Sequence, residues 1–453
     1  MGGKTLGGMP NPVGGYRALC FWFIALGYMA PWTFIGSLIA YFKVSRGANF
    51  YVEVYAMYYA MGLPSSLVQQ RYDTYWDMKF GATRMFLFRG QFNFLIMIGV
   101  VLLMPYVLLR RYTMLLLMAT LGVTSWTLHG TACQLASMCS TSSISALQTG
   151  FRTPEILAIV ACYYLDIGVS ASPFAIRVFF LMIAVLAVAG LFAWTALVLS
   201  PRFQALLAEK DHLGDQFDVT KAPLISTEKS AVKPPVTNAE TAATGDRRPA
   251  DDTLGVADEC QSPQQKSEGE AYAAAGDNSR VGSLSRSDMD AIAAQIRDCR
   301  LALFFTMFAS IFTAAFFAYA DSSSGVDLEQ VLYFTRLLGD LFGRPFTSLP
   351  RPQFLATDRN LANFAIWRTA GAAIFFVYVF VPGVPQSDLF IILYVAVFSV
   401  GSGYIGIVSY EYAARDLKST AAKSYSATLM NTTFQVSMFL AVMLSILISE
   451  FIT

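Results

Sequence analysis

The chain has 453 residues, of which 55% are hydrophobic and 14% are charged, and its mean hydropathy is +0.49. This composition is far more apolar than that of a soluble globular protein and indicates an all-α polytopic membrane protein in contact with the lipid bilayer. A formal net charge of +1 suggests no nucleic-acid partner. The two histidines, His129 and His212, are too distant in sequence to form a local metal motif, so neither a metal nor a cofactor is expected.

Eleven segments are long and apolar enough to cross a bilayer, which takes about 20 residues each. The second, fifth and eighth carry polar or charged residues, as an interfacial helix also would. The predicted spans are residues 18–42, 51–70, 86–109, 113–138, 146–166, 173–199, 301–320, 328–348, 364–382, 388–411 and 426–450. They divide the chain into an N-terminal bundle (1–200), a polar loop (201–300) and a C-terminal bundle (301–453).

The first span contains a proline and a tryptophan in the stretch "LGYMAPWTFIGSLIAYF". Pro31 removes a backbone hydrogen bond and typically kinks a helix, which would expose a carbonyl to a cavity. The ring of Trp32 could stack on a solute or simply pack in the core.

The fourth span carries a polar face. Gly130 and Gln134 are four residues apart and share that face with Thr127 and Ser137. An uncharged amide that donates and accepts hydrogen bonds suits a neutral polar solute, although hydrogen bonding between helices is nearly as common a role for it. His129 is interpreted as a packed residue rather than a proton relay.

The segment between the sixth and seventh spans is rich in Ala, Ser, Pro, Lys and Glu and nearly free of aromatic residues. Such a composition cannot bury a core and predicts disorder. Near its end, Ser287 and Asp290 resemble a capping box that would begin a helix running into the seventh span.

The eighth span contains three charges at spacings of four, Arg336, Asp340 and Arg344, which therefore project from one helical face. A charge at the bilayer centre costs at least about 2.5–3.5 kcal/mol, so such residues face a partner or a wet cavity. Gly339 and Gly343 form a GxxxG pattern that allows a neighbouring helix to approach closely. Contact with a solute and an internal salt bridge, with Arg344 extending to the interface, both fit this pattern.

In the tenth span, three glycines including Gly403 predict tight packing or local deformability. Glu411, near the inner end, is interpreted as an interfacial anchor, with a gating role as the alternative. Near the ends of the predicted spans, Lys and Arg are more frequent on one side of the membrane than on the other. Arg152 belongs to the side with more of them. This bias predicts a cytoplasmic N-terminus and long loop and an extracellular C-terminus. The plasma membrane is the expected location, with an intracellular membrane as the alternative.

These stretches resemble the equilibrative nucleoside transporter family, in order along most of the membrane-embedded chain. The first span is similar to that family's Pro-Trp signature, "GTACQ" (130–134) to its Gly and Gln, and "DLFGRPFT" (340–347) to its "DWLGRxLT". Arg368 and "GSGY" (401–404) resemble its Arg in the ninth span and its "SNGY". Departures at Thr33, Leu337 and Ser402 leave the substrate open.

The resemblance implies a major-facilitator-like bundle of eleven helices, split six and five, with the substrate between the halves. It implies that Trp32 and Gln134 line the nucleobase end of a nucleoside, and that Asp340 and Arg344 contact or organise the ribose end. Thr33 and Gly130 are further substrate-binding candidates. Arg336, Gly339, Gly343, Arg368, Gly403 and Glu411 would act in gating or helix packing.

The leading hypothesis is a carrier for nucleosides or nucleobases, either facilitative or coupled to protons. A carrier of another small organic solute, such as an organic cation, and a non-transporting receptor or scaffold that works through its long loop are the alternatives. An enzyme is not expected, because the spans contain no histidine cluster or nucleophile elbow.

Overall fold

The computed structural model describes residues 12–139, 141–205, 207, 286–417 and 420–452. Within these residues all regular structure is helical. Most of the predicted disordered loop, residues 208–285, lies outside them. The described part of that segment includes a helix that begins at Arg286, so Ser287 lies in its first turn.

The first half contains eight helices within the described residues. They are α1 (Pro12–Gly36), α2 (Ile39–Arg46), α3 (Ala48–Ala60), α4 (Gly62–Phe80), α5 (Ala82–Val107), α6 (Arg111–Cys139), α7 (Thr141–Leu165) and α8 (Pro173–Val198). The second half contains six more in its described part. They are α9 (Arg286–Gln295), α10 (Arg297–Ala315), α11 (Leu328–Gly343), α12 (Asp358–Phe380), α13 (Asp388–Arg415) and α14 (Thr420–Ile452).

Each of the eleven predicted spans coincides with helix. Seven of the helices in the described residues are long and apolar enough to cross a membrane on those criteria alone. The second, fourth, fifth and eighth spans are not among these seven. Helix α11 of the eighth span has 16 residues and α3 of the second span has 13, so both are short for a bilayer. Polar side chains lower the hydropathy of α4, α6 and α7, and several of them face neighbouring helices that supply partners.

The first two spans are each interrupted. Helix α1 continues through Pro31 and ends at Gly36, and α2 begins at Ile39. At this break the hydroxyl of Ser37 donates to the carbonyl of Phe34 (2.6 Å), which satisfies a carbonyl at the helix end. The second span is divided at Met61 into α3 and α4.

Helices pack most closely within each half. In the first half α1 packs on α7 and α8, and α5 packs on α6 and α8. In the second half α10 packs on α12, α13 and α14, while α11 packs on α13. Small residues permit these approaches: a Cβ at Gly27 of α1 would lie 2.8 Å from the Cα of Gly190 in α8.

Glycines bring the backbones of α11 and α13 into contact. A Cβ at Gly339 would lie 2.7 Å from the Cβ of Ser399, and one at Gly343 would overlap the carbonyl of Val400. From the opposite side, a Cβ at Gly403 would overlap the carbonyl of Asp340. The two helices therefore interlock around the segment that carries Asp340.

The two halves are joined by polar contacts at one end of the bundle, called here the Lys43 end. The ammonium of Lys43 donates to the carbonyl of Ala320 (2.9 Å) and to Asp321 (3.0 Å), and it lies 3.6 Å from Glu329. In addition, the hydroxyl of Tyr319 donates to Asn49. The charge bias of the sequence predicts that this end is extracellular.

Deeper in the bundle, two side chains of α11 reach the first half. The amide of Gln330 donates to the carbonyls of Ile167 (2.7 Å) and Ser37 (3.3 Å). One turn further along, the hydroxyl of Tyr333 donates to the carbonyl of Thr33 (3.2 Å). These bonds add to the contacts that join the two halves on the side of the Lys43 end.

We expect Gly343→Ala to lower the free energy of unfolding by about 1–3 kcal/mol, because its Cβ would meet backbone atoms that cannot rotate away. Gly99→Ala in α5 is the matched control, since nothing lies within 4 Å of a Cβ at that position. The midpoint of thermal unfolding of the detergent-solubilised protein measures both. Equal midpoints for the two variants would contradict the interlock.

Candidate functional site

A largely filled cavity lies between the two halves, and about 40 Å³ of it is open to a water-sized molecule. Helices α1, α3, α6 and α7 line it from the first half, and α10, α11, α13 and α14 line it from the second. A water molecule fits in only a small part of this space. The side chains therefore close around the cavity, and a solute could enter only if its walls moved apart.

Aromatic rings form part of the wall contributed by the first half. The indole of Trp32 stacks on Tyr58, with centroids 4.4 Å apart and planes inclined by 10°. Tyr55 and Tyr59 contact the same indole edge-on, at 5.1 Å and 5.0 Å. Because these three rings hold it, the indole, 3% exposed, presents one fixed orientation to the cavity.

Charged side chains from both halves also line the cavity: Arg152 and Glu155 in α7, and Arg336 and Asp340 in α11. The carboxylate of Asp340 in α11 accepts from Arg152 in α7 (2.8 Å), so this ion pair joins the two halves. Arg344 lies 3.5 Å from the same carboxylate, and Glu155 accepts from Arg152 (2.7 Å). Both carboxylates are almost fully buried, so each depends on its arginine partners for compensation of its charge.

Arg152 and Glu155 belong to the site but were not predicted from the sequence. The charge bias of the sequence assigned Arg152 to the cytoplasmic side. In the structure it lies within α7, with its guanidinium carbon 5.1 Å from the centre of the Phe151 ring. The signal was present, because Arg152 and Glu155 are three residues apart inside the predicted fifth span. Charge inside a predicted span is the criterion that selected Arg336, Asp340 and Arg344 in the eighth span, and it also applies to Arg152 and Glu155.

Two further arginines belong to the second half. Arg336 lines the cavity. Arg368 lies behind the cavity wall and donates to the carbonyls of Phe398 (2.9 Å) and Thr306 (3.1 Å) and to the hydroxyl of Ser310 (2.8 Å). Ser310 in turn donates to Ser402 (2.9 Å), and both serines line the cavity. Arg368 therefore braces the wall rather than facing the solute space.

Gly130 and Gln134 are not among the lining residues of this cavity. The space beside Gly130 is filled by the side chain of Gln69, whose amide donates to the carbonyl of Thr127 and the hydroxyl of Thr131 (3.0 Å each). A helix-packing contact thus occupies the glycine notch that was expected to admit a solute.

Gln134 lies beside a separate charged cluster between α4 and α5. Its amide is 3.4 Å from the carboxylate of Asp73. Asp73 accepts from Arg89 (3.1 Å), which also pairs with Asp77. All three charged side chains are buried, so this cluster resembles a structural link between neighbouring helices.

The other predicted residues occupy three places. Thr33 lines the cavity, and its carbonyl accepts from Tyr333. Glu411 is exposed and pairs with Arg351 within the second half. His129 is buried and bonded to the hydroxyl of Tyr28 (2.9 Å), as expected for a packed residue. Gly339, Gly343 and Gly403 lie at the interlock of α11 and α13.

No protein-family profile and no curated protein sequence matches the chain. Among solved structures, the chain is similar to an autoinhibited POT family peptide transporter, with a TM-score of 0.50 and 10% identity, covering 96% of this chain and 89% of that chain. It is also similar to the nucleoside transporter NupG (TM-score 0.46, 10% identity, 96% and 90% covered). A third structure is a bacterial homologue of the human lysosomal transporter Spinster (TM-score 0.46, 13% identity, 96% and 82% covered).

At 10–13% identity these similarities concern the fold alone. The comparison of folds rests on the peptide transporter, whose TM-score is 0.50. It confirms the predicted fold class: an all-α, multi-pass membrane protein with a major-facilitator-like bundle. No match identifies the chain as an equilibrative nucleoside transporter, so that resemblance stays a hypothesis.

Proposed function

We propose that the protein is a membrane carrier for nucleosides or nucleobases that works by alternating access. The observation that carries this proposal is the cavity between the two helical halves, which is lined by aromatic rings and by charged side chains from both halves. Solutes of transporters with this kind of architecture bind near the midplane between the halves. A solute bound there would touch both halves and could pass from one side to the other as they move.

The chemistry of the walls suits this solute class. The edge of the Trp32 and Tyr59 pair offers an apolar surface to a base, and Ser310 and Ser402 offer hydroxyl groups to its polar edge. Asp340 could accept hydrogen bonds from sugar hydroxyls or ring N–H groups, as the family resemblance implies. We therefore propose Trp32, Thr33, Arg152, Glu155, Asp340 and Arg344 as the residues that bind or organise the solute.

Alternating access requires that contacts between the halves break in turn. The Lys43 end has to open to admit a solute from that side, and the bonds of Lys43, Gln330 and Tyr333 would then be lost. The Arg152 and Asp340 pair also joins the halves, but it lies at the cavity itself. A solute that binds at Asp340 would therefore change the balance between closed and open arrangements, as coupling of binding to movement requires.

We expect cells that lack endogenous uptake, when they express this protein, to accumulate labelled adenosine, uridine or hypoxanthine in a saturable manner. Asp340→Asn should reduce that uptake at least about tenfold, because it removes the charge that organises Arg152 and Arg344. Glu411→Gln is the control, since Glu411 is exposed and its partner lies in the same half. Surface expression is measured for each.

Absence of uptake of all three solutes by surface-expressed wild-type protein would refute the proposed substrate class. Equal uptake by wild type and Asp340→Asn would refute the proposed site. Dependence on protons is a separate measurement: a proton-coupled carrier gains uptake from an inward proton gradient and loses it with an ionophore, whereas a facilitative carrier responds to neither.

The Lys43 end supplies a second test. Lys43→Glu would place a third carboxylate beside Asp321 and Glu329, so we expect the closed arrangement to become less populated. A Thr33→Cys reporter in the cavity should then react several-fold faster with a membrane-impermeant thiol reagent added outside the cell. Adding Glu329→Lys to Lys43→Glu should restore slow labelling, because the charges are then opposite again.

The control for this experiment is Arg111→Glu. Arg111 pairs with Glu53, but both residues belong to the first half and the pair does not join the halves. Protein without the reporter gives the background from native cysteines. If Arg111→Glu accelerated labelling as much as Lys43→Glu, the Lys43 contacts would not be what keeps this end closed.

A further inference from the structure

Arg336 lines the cavity, yet its charge is not matched by a direct partner. Within the part of the chain that the structure describes, its guanidinium makes no hydrogen bond or salt bridge. Tyr59 and Tyr333 line the same cavity, and their phenol groups are neutral. Asp340 is one helical turn away, but its carboxylate is engaged by Arg152 and Arg344.

The charges around the cavity therefore do not cancel. Two carboxylates, Glu155 and Asp340, are compensated by Arg152 and Arg344. Arg336 and Arg368 remain without a carboxylate partner; Arg368 is bonded to two carbonyls and a hydroxyl behind the wall, whereas Arg336 lines the cavity. An arginine cannot release its proton in a protein. A buried cation is costly unless a partner or water neutralises its field. An acidic solute would supply that partner, whereas an organic cation would add to the repulsion.

The surroundings of Arg336 offer further donors to such a group. Arg336 also lines a second, smaller space beside the main cavity, together with Thr313 and Ser399. The hydroxyl of Thr313 is buried and has no hydrogen-bond partner among the described residues. A guanidinium with five N–H donors beside unused hydroxyl groups is a favourable setting for a carboxylate or phosphate oxygen.

We propose that the solute of this carrier bears an acidic group, and that Arg336 binds that group. This inference rests on the proposed function and narrows it from neutral nucleosides toward acidic members of the same chemical class. Arg336 would then set specificity, while Trp32 and Asp340 hold the parts of the solute common to neutral and acidic members.

Matched pairs of bases test this directly on the full-length protein in cells. Orotate is uracil with an added carboxylate, and urate is an oxidised purine that is anionic at neutral pH where hypoxanthine is not. We expect orotate or urate to compete for uptake at concentrations about tenfold or more below those of its neutral counterpart, as a charge-assisted hydrogen bond implies. This comparison needs no variant, so it is informative even if substitutions impair folding.

Variants then assign the preference to the residue. Arg336→Gln should abolish the preference for the acidic member, which is measured as the ratio of the two competing concentrations within the same variant. Arg336→Lys keeps the charge but not the planar donor pair, and should retain part of the preference. Arg351→Gln is the matched control, because it removes an arginine at the exposed pair with Glu411 and should leave the preference unchanged.

Three outcomes would overturn the inference, and they are distinguishable. If the neutral bases compete and both acidic ones fail, the carrier proposal stands and the acidic-solute inference falls. If an acidic base is preferred but Arg336→Gln preserves the preference, the assignment to Arg336 is wrong. If no nucleoside or base of either kind competes or is taken up, the proposed function fails and this inference fails with it.

Discussion

Buried charge compensation across the interface between the halves is the constraint on which the site depends. Asp340 and Glu155 are almost fully buried in a bundle surrounded by lipid, and neither could remain ionised there without arginine. Arg152 is provided by one half and Arg344 by the other. The pairing therefore does two things at once: it stabilises charges that the membrane interior disfavours, and it connects the two parts that alternating access would move.

Close helix packing makes this pairing precise. Because Gly343 and Gly403 let α11 and α13 touch backbone to backbone, the carboxylate of Asp340 is held by the helix pair rather than by α11 alone. Arg368 adds a second constraint by bonding to two carbonyls and to Ser310. The cavity wall of the second half is thus rigid, which suits a site whose partner groups approach from the opposite half.

The sequence was informative where a single helix carries the signal. Hydropathy located helices: each of the eleven predicted spans lies on helix, and seven of the described helices are long and apolar enough to cross a bilayer. The spacing of Arg336, Asp340 and Arg344 placed them on one face, because that geometry is internal to a helix. Arg152 and Glu155, three residues apart, also share a helical face. Because Arg152 is near the start of the predicted fifth span, its position suggested an interfacial cation.

The sequence by itself thus determined the membrane class, the order of the helices and the presence of charges that need partners. Only the tertiary structure decided which partners they have. Gln134 and Asp340 were expected to contact one solute, yet Gln134 lies with Asp73 while Asp340 faces the cavity beside Trp32. The physical reason is that a helix fixes which residues share a face, whereas the neighbour of that face depends on how helices distant in sequence pack together.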